Sequence, residues 1–379
     1  MRLIRSGRIA DLIDAVPPGI RTLIAPEDYV RRWARFNPQD YIQDATFSPD
    51  WPMDAEVLRG LYPQSGGTVV DGVIGVDPTG LAALLRLTGP ISLAGIGEPL
   101  TADNAAEVLT RTQYLEYGDR AERAEILEEA TRRTFLKLTE GKLPAPRTLA
   151  DSLGPAVRGR HLQIWSPRPD EEDLFALLGA DGHLRVPAGD DGLMVSQINN
   201  GNNKIDAYLQ RTITYRPTVD AKTGGLAATL TVELHNDLPG DPAALPTSVA
   251  GNTRGAPRGT SLSIISVMTP NLVTSATVDG LPMTLAQDTE AGLRTFETPV
   301  VQVPPGGTVV LTFELRGELD LSSGYRFRYL RQPVANPDQL TVDATVSNGE
   351  LEAEDRWTNQ ATITDATDAS VDVDLPLRR

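Results

Sequence analysis

One stretch of the sequence, Thr68 to Pro90, constrains the fold most because it has the pattern of a strand, a turn, a helix and a stop. The β-branched residues ahead of the turn are Val69, Val70, Val73, Ile74 and Val76. Such a run is typical of a strand that is buried on both faces. Asp77 stands where an N-cap belongs, Pro78 takes the first helical position, and Gly89 ends the apolar helix. The stretch therefore predicts half of a βαβ unit, in a sheet covered by helices.

The chain length and a change of pattern near residue 200 predict two domains. Helical patterns dominate residues 1–200, whereas short stretches of period two, separated by turns, follow to residue 379. The predicted fold class is α+β multidomain, with an α/β domain at 1–200 and an antiparallel, Ig-like β-sandwich at 201–379. From Asp338 to Asp374 there are ten acidic residues and one basic residue, so we expect a solvated edge or a poorly ordered acidic tail there.

Composition excludes several kinds of site. The chain has 51 acidic residues, 35 basic residues and a formal net charge of −16, which opposes general nucleic-acid binding. It has no cysteine, which excludes disulfides, zinc–thiolate sites and thiol nucleophiles. No apolar run is long enough for a transmembrane helix. The N-terminal stretch is not a signal peptide, because Asp11 and Asp14 interrupt its apolar residues.

An arginine group lies near the start of a long helix predicted from Asp119 to about Glu140. It consists of Arg111, Arg120 and Arg123, and a second small basic group is formed by Arg158 and Arg160. The free amides and positive dipole end of a helix N-terminus, joined by arginines, favour binding of phosphate or pyrophosphate. The alternative is that these arginines are surface residues, paired with glutamates at helical spacing. The helix is expected to bury the residues Ala124, Leu127, Thr131, Thr134, Phe135 and Leu138.

Two carboxylates, Asp44 and Asp50, lie in a loop just ahead of another predicted helix. They could hold a metal ion, or they could only accept hydrogen bonds from backbone amides. The histidines His161, His183 and His235 share no metal-ligand spacing, so a metal site built from them is not expected. The sequence contains no G-x-S-x-G, Walker A or G-x-G-x-x-G motif, and it identifies no catalytic residue.

A resemblance to a known family rests on ordered motifs: YIQDATFSPDWPMDAEVL, VDGVIGVDPTGLAALLRLTGPI, LTADNAAEVLTRTQY, GDRAERAEIL and NNGNNKIDAYLQRTITY. Over residues 1 to about 335 they resemble the bacterial domain-of-unknown-function 4012 family. The resemblance implies no activity. It implies an extracytoplasmic protein, anchored to the membrane by an N-terminal helix, with a Gly-rich β segment ahead of the region where this chain begins. We expect that segment, which this chain lacks, to be needed to complete the sheet.

Three of these motifs also resemble, more distantly, the LytR–CpsA–Psr family of envelope phosphotransferases. That resemblance implies that Arg111, Arg120 and Arg123 bind the pyrophosphate of a polyprenyl carrier and that Mg²⁺ is the ion. The pattern departs from that family at Ala124, where the family has glutamine, and the segments that would supply its catalytic Asp and Arg are not recognisable. A related fold with lost or altered catalysis is therefore as well supported as an active enzyme.

Three functions follow as expectations. The first is an extracytoplasmic cell-envelope protein that binds an anionic polyprenyl-phosphate or cell-wall glycan without catalysis, and whose sandwich contacts an envelope protein. The second is a phosphotransferase that moves glycopolymers from polyprenyl pyrophosphate. The third is a structural or adhesion module without a ligand. Arginines that converge on an apolar groove would favour a ligand, whereas arginines paired with surface glutamates would favour the structural module.

Overall fold

The computed structural model describes residues 3, 5–94, 96–141, 144–367 and 369–378. The chain divides into two compact units, Met1–Leu184 and Arg185–Arg379. It combines helices with several antiparallel sheets and is thus an α+β multidomain protein, as predicted. The division falls ahead of residue 200, because residues 191–199 form a strand of the second unit. Among the described residues, no helix has both the length and the apolar character needed to cross a membrane.

The first unit is mainly helical. Its helices are α1 (Ile9–Asp14), α2 (Glu27–Trp33), α3 (Trp51–Gln64), α4 (Pro78–Thr88), α5 (Ala105–Glu107), α6 (Gln113–Glu116), α7 (Arg120–Glu140), α8 (Pro146–Arg158) and α9 (Pro169–Leu177). A π-helical turn, Val108–Thr112, joins α5 to α6, and 3₁₀ turns occupy Ala34–Phe36 and Ile42–Asp44. Its described residues form two strands, β1 (Val73–Val76) and β2 (Leu162–Trp165).

The strand–turn–helix prediction is confirmed in its local details. Asp77 accepts a hydrogen bond from the Gly80 amide at 2.8 Å, Pro78 begins α4, and Gly89 ends it with φ of +78°. Two larger expectations are wrong. β1 pairs with β2 in the antiparallel sense, so the stretch is not half of a βαβ unit. Nor is the strand buried on both faces, since Ile74 is 63% exposed.

Helices cover the two-stranded sheet of the first unit on two sides. On one face, Trp51 and Ala55 of α3 pack against Trp165 of β2. On another, Leu162 of β2 packs against Ala156 of α8 and against α4. A separate core joins α4 to α7 through Leu81, Leu85, Ile126 and Ala130. The sheet is therefore held in place by α3, α4 and α8 rather than by further strands.

The second unit is almost wholly β-structure. Its strands are β3 (Asp191–Asn199), β4 (Leu209–Asp220), β5 (Gly225–Asn236), β6 (Ser261–Thr269), β7 (Leu272–Val278), β8 (Leu281–Pro282), β9 (Ala286–Glu290), β10 (Leu293–Glu297), β11 (Val301–Val303), β12 (Thr308–Glu318), β13 (Tyr325–Leu330), β14 (Gln339–Ser347), β15 (Glu350–Ala353), β16 (Arg356–Thr358), β17 (Gln360–Asp365), β18 (Val371–Leu375) and β19 (Leu377–Arg378). A short helix, α10 (Thr247–Ala250), and a 3₁₀ turn, Ile205–Tyr208, complete it.

Two seven-stranded sheets form the body of this unit. One has the order β18-β13-β3-β6-β10-β9, with β11 paired to β6, and the other has the order β17-β14-β4-β5-β12-β7-β8. Strand pairing in these sheets is mostly antiparallel, as predicted, but two pairings, β13 with β3 and β14 with β4, are parallel. The sheets share one core, in which the rings of Tyr215 and Phe327 stack with centroids 5.0 Å apart.

The acidic stretch 338–374 contributes five strands to the second unit, so it is not a poorly ordered tail. Alternate residues of β14 are buried, including Leu340, Val342, Ala344 and Val346, while the intervening positions are half-buried. The acidic side chains of such strands face solvent where the pleat directs them outward. Asp338, by contrast, is 1% exposed and takes part in a buried ion pair described below.

Candidate functional site

The candidate site is a polar cluster around the start of α3, where charged side chains are buried together. Asp50, just ahead of α3, is 1% exposed. Its Oδ1 lies 2.5 Å from Nδ1 of His183 and accepts a hydrogen bond from the Leu184 amide at 2.7 Å. A buried carboxylate needs such partners because it has lost its hydration. Asp50 thus ties residues 183–184 to the start of α3.

A second carboxylate, Asp54, lies one turn further along α3 and is also buried. Its Oδ1 accepts a hydrogen bond from the Ser48 amide at 3.2 Å. Burial raises the pKa of Asp54 well above its ordinary value, and the neighbouring charge of Asp50 raises it further. The pair therefore favours one charged and one neutral carboxyl group, since two adjacent buried charges of the same sign repel.

Arg160 provides the positive charge of the cluster. It follows α8 in the left-handed region, with φ of +63°, and its residue is 7% exposed. Its Nη2 donates hydrogen bonds to the carbonyl oxygens of Pro49 and Gly182, the latter at 2.7 Å. Burial lowers the pKa of Arg160, whereas Asp50, Asp181 and Asp54 raise it. The guanidinium therefore fastens two loops to each other and compensates the nearby carboxylates.

A second histidine–aspartate pair repeats this arrangement at α4. Nδ1 of His161 lies 2.6 Å from Oδ2 of Asp77, whose Oδ1 caps α4 through the Gly80 amide. The Asp77 amide donates to the His161 carbonyl oxygen at 3.2 Å. In both pairs a histidine holds an aspartate that lies just ahead of a helix. The side chain of His161 is almost fully buried, whereas that of His183 is 32% exposed.

A histidine oriented by a carboxylate can act as a general base when a nucleophile lies within hydrogen-bonding reach. Ser48 is the hydroxyl beside Asp50, but its Oγ accepts from the Asp50 amide at 3.0 Å and donates to the Asp50 carbonyl oxygen at 3.4 Å. The hydroxyl therefore stabilises the turn ahead of α3. The hydrogen bonds of the cluster connect loops 48–50 and 181–184 with α3 and the end of α8.

The arginines singled out in the sequence lie in several places. Arg111 forms an ion pair with Glu107, four residues earlier. Arg123 donates from Nη1 to the Tyr117 carbonyl oxygen at 2.5 Å, and its guanidinium lies 5.4 Å from the ring centroid of Tyr114. Arg120 is exposed. Arg111 therefore agrees with the alternative in which these arginines pair with glutamates at helical spacing. Arg123 instead binds the segment just ahead of α7.

The first turn of α7 already has a cap, because Asp119 accepts a hydrogen bond from the Ala121 amide at 2.8 Å. Arg158 lies at the end of α8, while Arg160, two residues later, is buried in the cluster at Asp50. The two residues that the sequence grouped together therefore differ in role. The left-handed backbone at Arg160 separates them by turning the chain away from the helix.

The proposed metal ligands have different surroundings. Asp50 is engaged by His183 and Leu184, in line with the alternative that it binds backbone amides. Asp44 is half-buried in a 3₁₀ turn, and burial raises its pKa. Across the described ranges, no group of three or more histidine or acidic side chains is arranged to hold a metal ion.

The sequence did not point to Asp54 or to His183 as members of a site. Asp54 is a first-turn acidic residue, a position that usually indicates only a favourable helix dipole. His183 follows a Gly-containing turn and meets Asp50 across 133 residues of sequence. The local signal in the sequence concerns Asp50 alone. In the pattern Asp50-Trp51-Pro52, an acidic residue precedes a helix that has proline in its first turn.

Two of the buried carboxylates of the second unit, Asp191 and Asp338, lie in hydrogen-bonded clusters. Asp191 accepts hydrogen bonds from the hydroxyls of Tyr215 at 2.9 Å and Tyr325 at 2.8 Å, and from the side-chain Nδ2 of Asn271 at 2.7 Å. Burial raises the pKa of Asp191 to about 6, and these donors oppose the rise. All four residues are deep in the unit, so this cluster stabilises the fold.

Asp338 forms the other cluster with Arg211. Two parallel hydrogen bonds, from Nε at 2.7 Å and from Nη2 at 3.0 Å, join the arginine to the carboxylate. The Tyr329 hydroxyl donates to the same carboxylate at 2.7 Å. Arg331 donates to the Asp338 carbonyl oxygen at 2.8 Å and to Asp365 at 2.7 Å. Strands β4, β13, β14 and β17 are thereby connected inside the unit.

Comparison with known families matches part of the first unit. Residues 7–114 match the model of a family described as "Protein of unknown function (DUF4012)". The matched segment contains Asp50, Asp54 and Asp77, and it ends ahead of Arg160 and His183. It confirms the resemblance to that family, over a shorter range than the motifs suggested, while the likeness to the LytR–CpsA–Psr family stays a prediction. No curated protein matches the chain.

Several solved structures show a distant likeness. A protein from Legionella pneumophila described as nutrient-binding is 9% identical, with a TM-score of 0.29 over 49% of this chain and 70% of its own. An M1 zinc metallopeptidase from Deinococcus radiodurans is 16% identical, with a TM-score of 0.24 over 45% of this chain and 41% of its own. Leukotriene A4 hydrolase from Saccharomyces cerevisiae is 10% identical, with a TM-score of 0.26 over 42% and 27%. Such low TM-scores carry no argument about function.

Proposed function

We propose from its geometry that this chain, whose residues 7–114 match the model of the DUF4012 family of unknown function, is a non-catalytic binding and assembly module of the bacterial cell envelope. The envelope location comes from the family resemblance and is part of the proposal. The module would act by presenting a rigid surface to other envelope components. Its buried charges would hold that surface in shape.

One observation carries this proposal: the charged groups of the Asp50 cluster are engaged in joining segments of the first unit. The Asp50 carboxylate binds His183 and the Leu184 amide, and the Arg160 guanidinium binds two backbone carbonyl oxygens. The hydroxyl of Ser48 is engaged with the Asp50 backbone. Nε of Arg160 is buried without a hydrogen-bond partner, but the other contacts join three segments of the unit, and buried hydrogen bonds of this kind rigidify a fold.

Complementation tests the proposal. A strain that lacks the gene receives the chain with His183→Gln, and the amount of folded protein is measured by immunoblot and limited proteolysis. A non-catalytic module is expected to complement in proportion to its abundance, because a glutamine amide at position 183 can still donate to Asp50. His161→Gln serves as the matched control in the other histidine–aspartate pair. An abundant, folded His183→Gln chain that fails where His161→Gln succeeds would assign chemistry to His183.

A second candidate, binding of an anionic polyprenyl-phosphate or glycan at the start of α7, is favoured by the exposure of Arg120 in the first turn of that helix. Arg123 lies one turn further on and is held by Tyr117 and Tyr114. A fixed arginine, an exposed arginine and a helix dipole together favour phosphate oxygens. Mg²⁺ would assist such binding by sharing the pyrophosphate charge.

Titration calorimetry with a short-chain polyprenyl pyrophosphate, with and without Mg²⁺, tests the second candidate. The double variant Arg120→Ala/Arg123→Ala is expected to lose saturable binding. The double variant Arg132→Ala/Arg133→Ala is the control, because it removes the same charge from the same helix where both arginines pair with Glu129. Equal losses in both variants would show that only net charge matters. Turnover of a glycopolymer-loaded carrier would instead favour the phosphotransferase alternative.

The finer features of the fold belong to this proposal as well. A LytR–CpsA–Psr-like first unit would place the ligand near α7, and an Ig-like second unit would contact an envelope protein through its sheets. The exposed strand positions of β12 and β4 support such contacts, since strand faces are common recognition surfaces. Cross-linking from these two strands in cells would test whether the second unit has a protein partner.

A further inference from the structure

The two edges of the small sheet in the first unit differ. The Asp77 amide donates to the His161 carbonyl oxygen, so Asp77 and His161 form a hydrogen-bonded pair of the ladder. In an antiparallel ladder such pairs alternate with pairs whose amide and carbonyl groups point away from the partner strand. The register, with Val76 opposite Leu162, therefore directs the backbone groups of Ile74 and Val76 away from β2.

The outer edge of β2 is occupied, whereas that of β1 is open. Ile164, which lies opposite Ile74, donates its amide to the Ala180 carbonyl oxygen at 2.8 Å, as the alternation requires. On the other side, no hydrogen bond of the described residues reaches the outward backbone groups of Ile74 and Val76. β1 thus presents two amides and two carbonyl groups in the spacing that a further strand would use.

The side chains on this edge are apolar and exposed. Ile74 is 63% exposed and Val76 is 41% exposed, and Val69, just ahead of the strand, is also exposed. Isolated two-stranded sheets are marginally stable, and proteins usually protect an open edge with charges, proline or a covering segment. β1 itself carries none of these, since its four residues are Val-Ile-Gly-Val. The edge has the features of a surface that a further strand covers.

Charge decides which kind of strand fits. Asp71 and Asp77 flank β1 at its two ends, on a chain of net charge −16. If a second copy added its own β1, in either direction, acidic residues would lie beside acidic residues at both ends. Like charges directly opposite each other on paired strands are destabilising. A four-residue edge is also too short to bury the roughly 1,200 Å² or more of a stable dimer interface.

We propose that the open edge of β1 binds an extended segment of a partner protein, with apolar residues at alternate positions and basic residues at its ends. Main-chain hydrogen bonds to Ile74 and Val76 would hold the segment, and its apolar side chains would cover those two residues. Basic ends would meet Asp71 and Asp77. This inference rests on the proposed function, because it names the surface through which a non-catalytic module would engage its partner.

The test uses the whole chain and a fluorescent synthetic peptide in which Val and Ile alternate with Thr between terminal Lys residues. Fluorescence anisotropy measures its binding. Two further peptides carry N-methyl groups on alternate residues, one set on each edge of the added strand. Strand addition predicts that one methylated peptide loses at least about tenfold in affinity while the other binds as before. Equal affinities for the two, or no binding of the parent peptide, would overturn the proposal.

Two protein variants make the test specific to β1. Ile74→Pro removes an outward amide that β2 does not use, and proline is tolerated on edge strands. It is expected to weaken peptide binding at least about tenfold, whereas Leu127→Thr, which removes an exposed apolar residue from α7, is expected to leave binding unchanged. Unchanged binding to a folded Ile74→Pro chain would overturn the assignment to β1. A peptide ending in Glu is expected to bind more weakly than one ending in Lys, and the reverse order would contradict the charge argument.

The outcome is separable from that of the proposed function. Failure of the peptide to bind removes the β1 edge as a docking surface but leaves the complementation by His183→Gln as it was. Failure of complementation by an abundant His183→Gln chain removes the non-catalytic role, whatever the peptide does. Should the Ile74→Pro chain not fold, the methylated peptides still decide the question on the unaltered protein.

Discussion

Breaking the buried ion pair between Arg211 and Asp338 should reveal how much the second unit depends on it. Each side chain is 1% exposed, and two hydrogen bonds of 2.7 and 3.0 Å join them. Removing one member of a buried, hydrogen-bonded pair leaves a charge without compensation and typically costs about 3–5 kcal/mol. We therefore expect either Arg211→Met or Asp338→Leu to destabilise the second unit by about that amount.

The double variant should be far less damaging than the sum of the two single variants. With both charges gone, the principal unpaired group is the Tyr329 hydroxyl, which now donates to Asp338 at 2.7 Å. An unsatisfied buried hydroxyl costs about 1–3 kcal/mol. The expected coupling between the two positions is therefore at least about 3 kcal/mol, because the single costs do not add when residues share an interaction.

Hydrogen exchange followed by mass spectrometry can measure the stability of the second unit in the whole chain. Peptides from β4 and β14 report on that unit alone. A destabilisation of about 3 kcal/mol corresponds to roughly a hundredfold faster exchange of the core amides. Tyr329→Phe is the control for the hydroxyl by itself. Single variants that change exchange less than about fivefold, or a double variant whose effect equals the sum, would refute the reasoning.

Three further predictions concern other buried groups. Burial raises the pKa of Asp191 from 3.8 to about 6, so its carboxyl group adds about 3 kcal/mol to the free energy of unfolding below pH 3.8. This contribution is lost as the pH rises through 6. Urea unfolding across this range should show the loss, and Asp191→Asn should abolish this pH dependence. Gly80→Ala should destabilise the first unit by about 1–3 kcal/mol in thermal unfolding, since a Cβ there would lie 2.2 Å from the His161 carbonyl oxygen, whereas Gly97→Ala, with open space around it, should not. Asp77→Ala should cost about 1–3 kcal/mol in urea unfolding, because it removes a helix cap and the partner of His161 together, and a cost within about 0.5 kcal/mol of zero would contradict that role.

The sequence predicts local structure best where chain-local rules decide it. The N-cap at Asp77, the start of α4 at Pro78 and the helix from Arg120 to Glu140 all agree with the structure, because caps and helix stops depend on residues a few positions apart. The pairing of β1 was mispredicted, because the direction of a partner strand is fixed by β2, which lies far along the chain, beyond α8. Local patterns contain no information about that partner.

Burial was harder to predict than helix position. α7 buries Ile126, Ala130 and Thr134, whereas Leu127, which the sequence placed inward, is 45% exposed. Ile126 and Leu127 are apolar and adjacent, so the stripe could be drawn through either of them until the direction of α4 was known. The strand β3 was missed for a different reason: both of its faces are buried over Asp191 to Ser196, so its sequence lacks the period-two pattern that marks the other strands.

The candidate cluster could be predicted only in part. Asp50 and Arg160 were both singled out, but as members of separate metal and anion sites. Their actual neighbours, His183 and Gly182, come from a turn that follows α9 and has no recognisable motif. Long-range hydrogen bonds of this kind depend on the packing of α3 against β2, which no spacing in the sequence encodes.

The most direct test of the central claim is the exchange rate of the Leu184 amide, measured by NMR in the unaltered chain and in Asp50→Ala. The Asp50 carboxylate joins residues 183–184 to α3 through a hydrogen bond of 2.7 Å from this amide. We predict strong protection of the Leu184 amide, reduced at least about a hundredfold in Asp50→Ala. Exchange of Leu184 at the rate of an open amide in the unaltered chain would contradict this role, because Asp50 and His183 would then be available for chemistry.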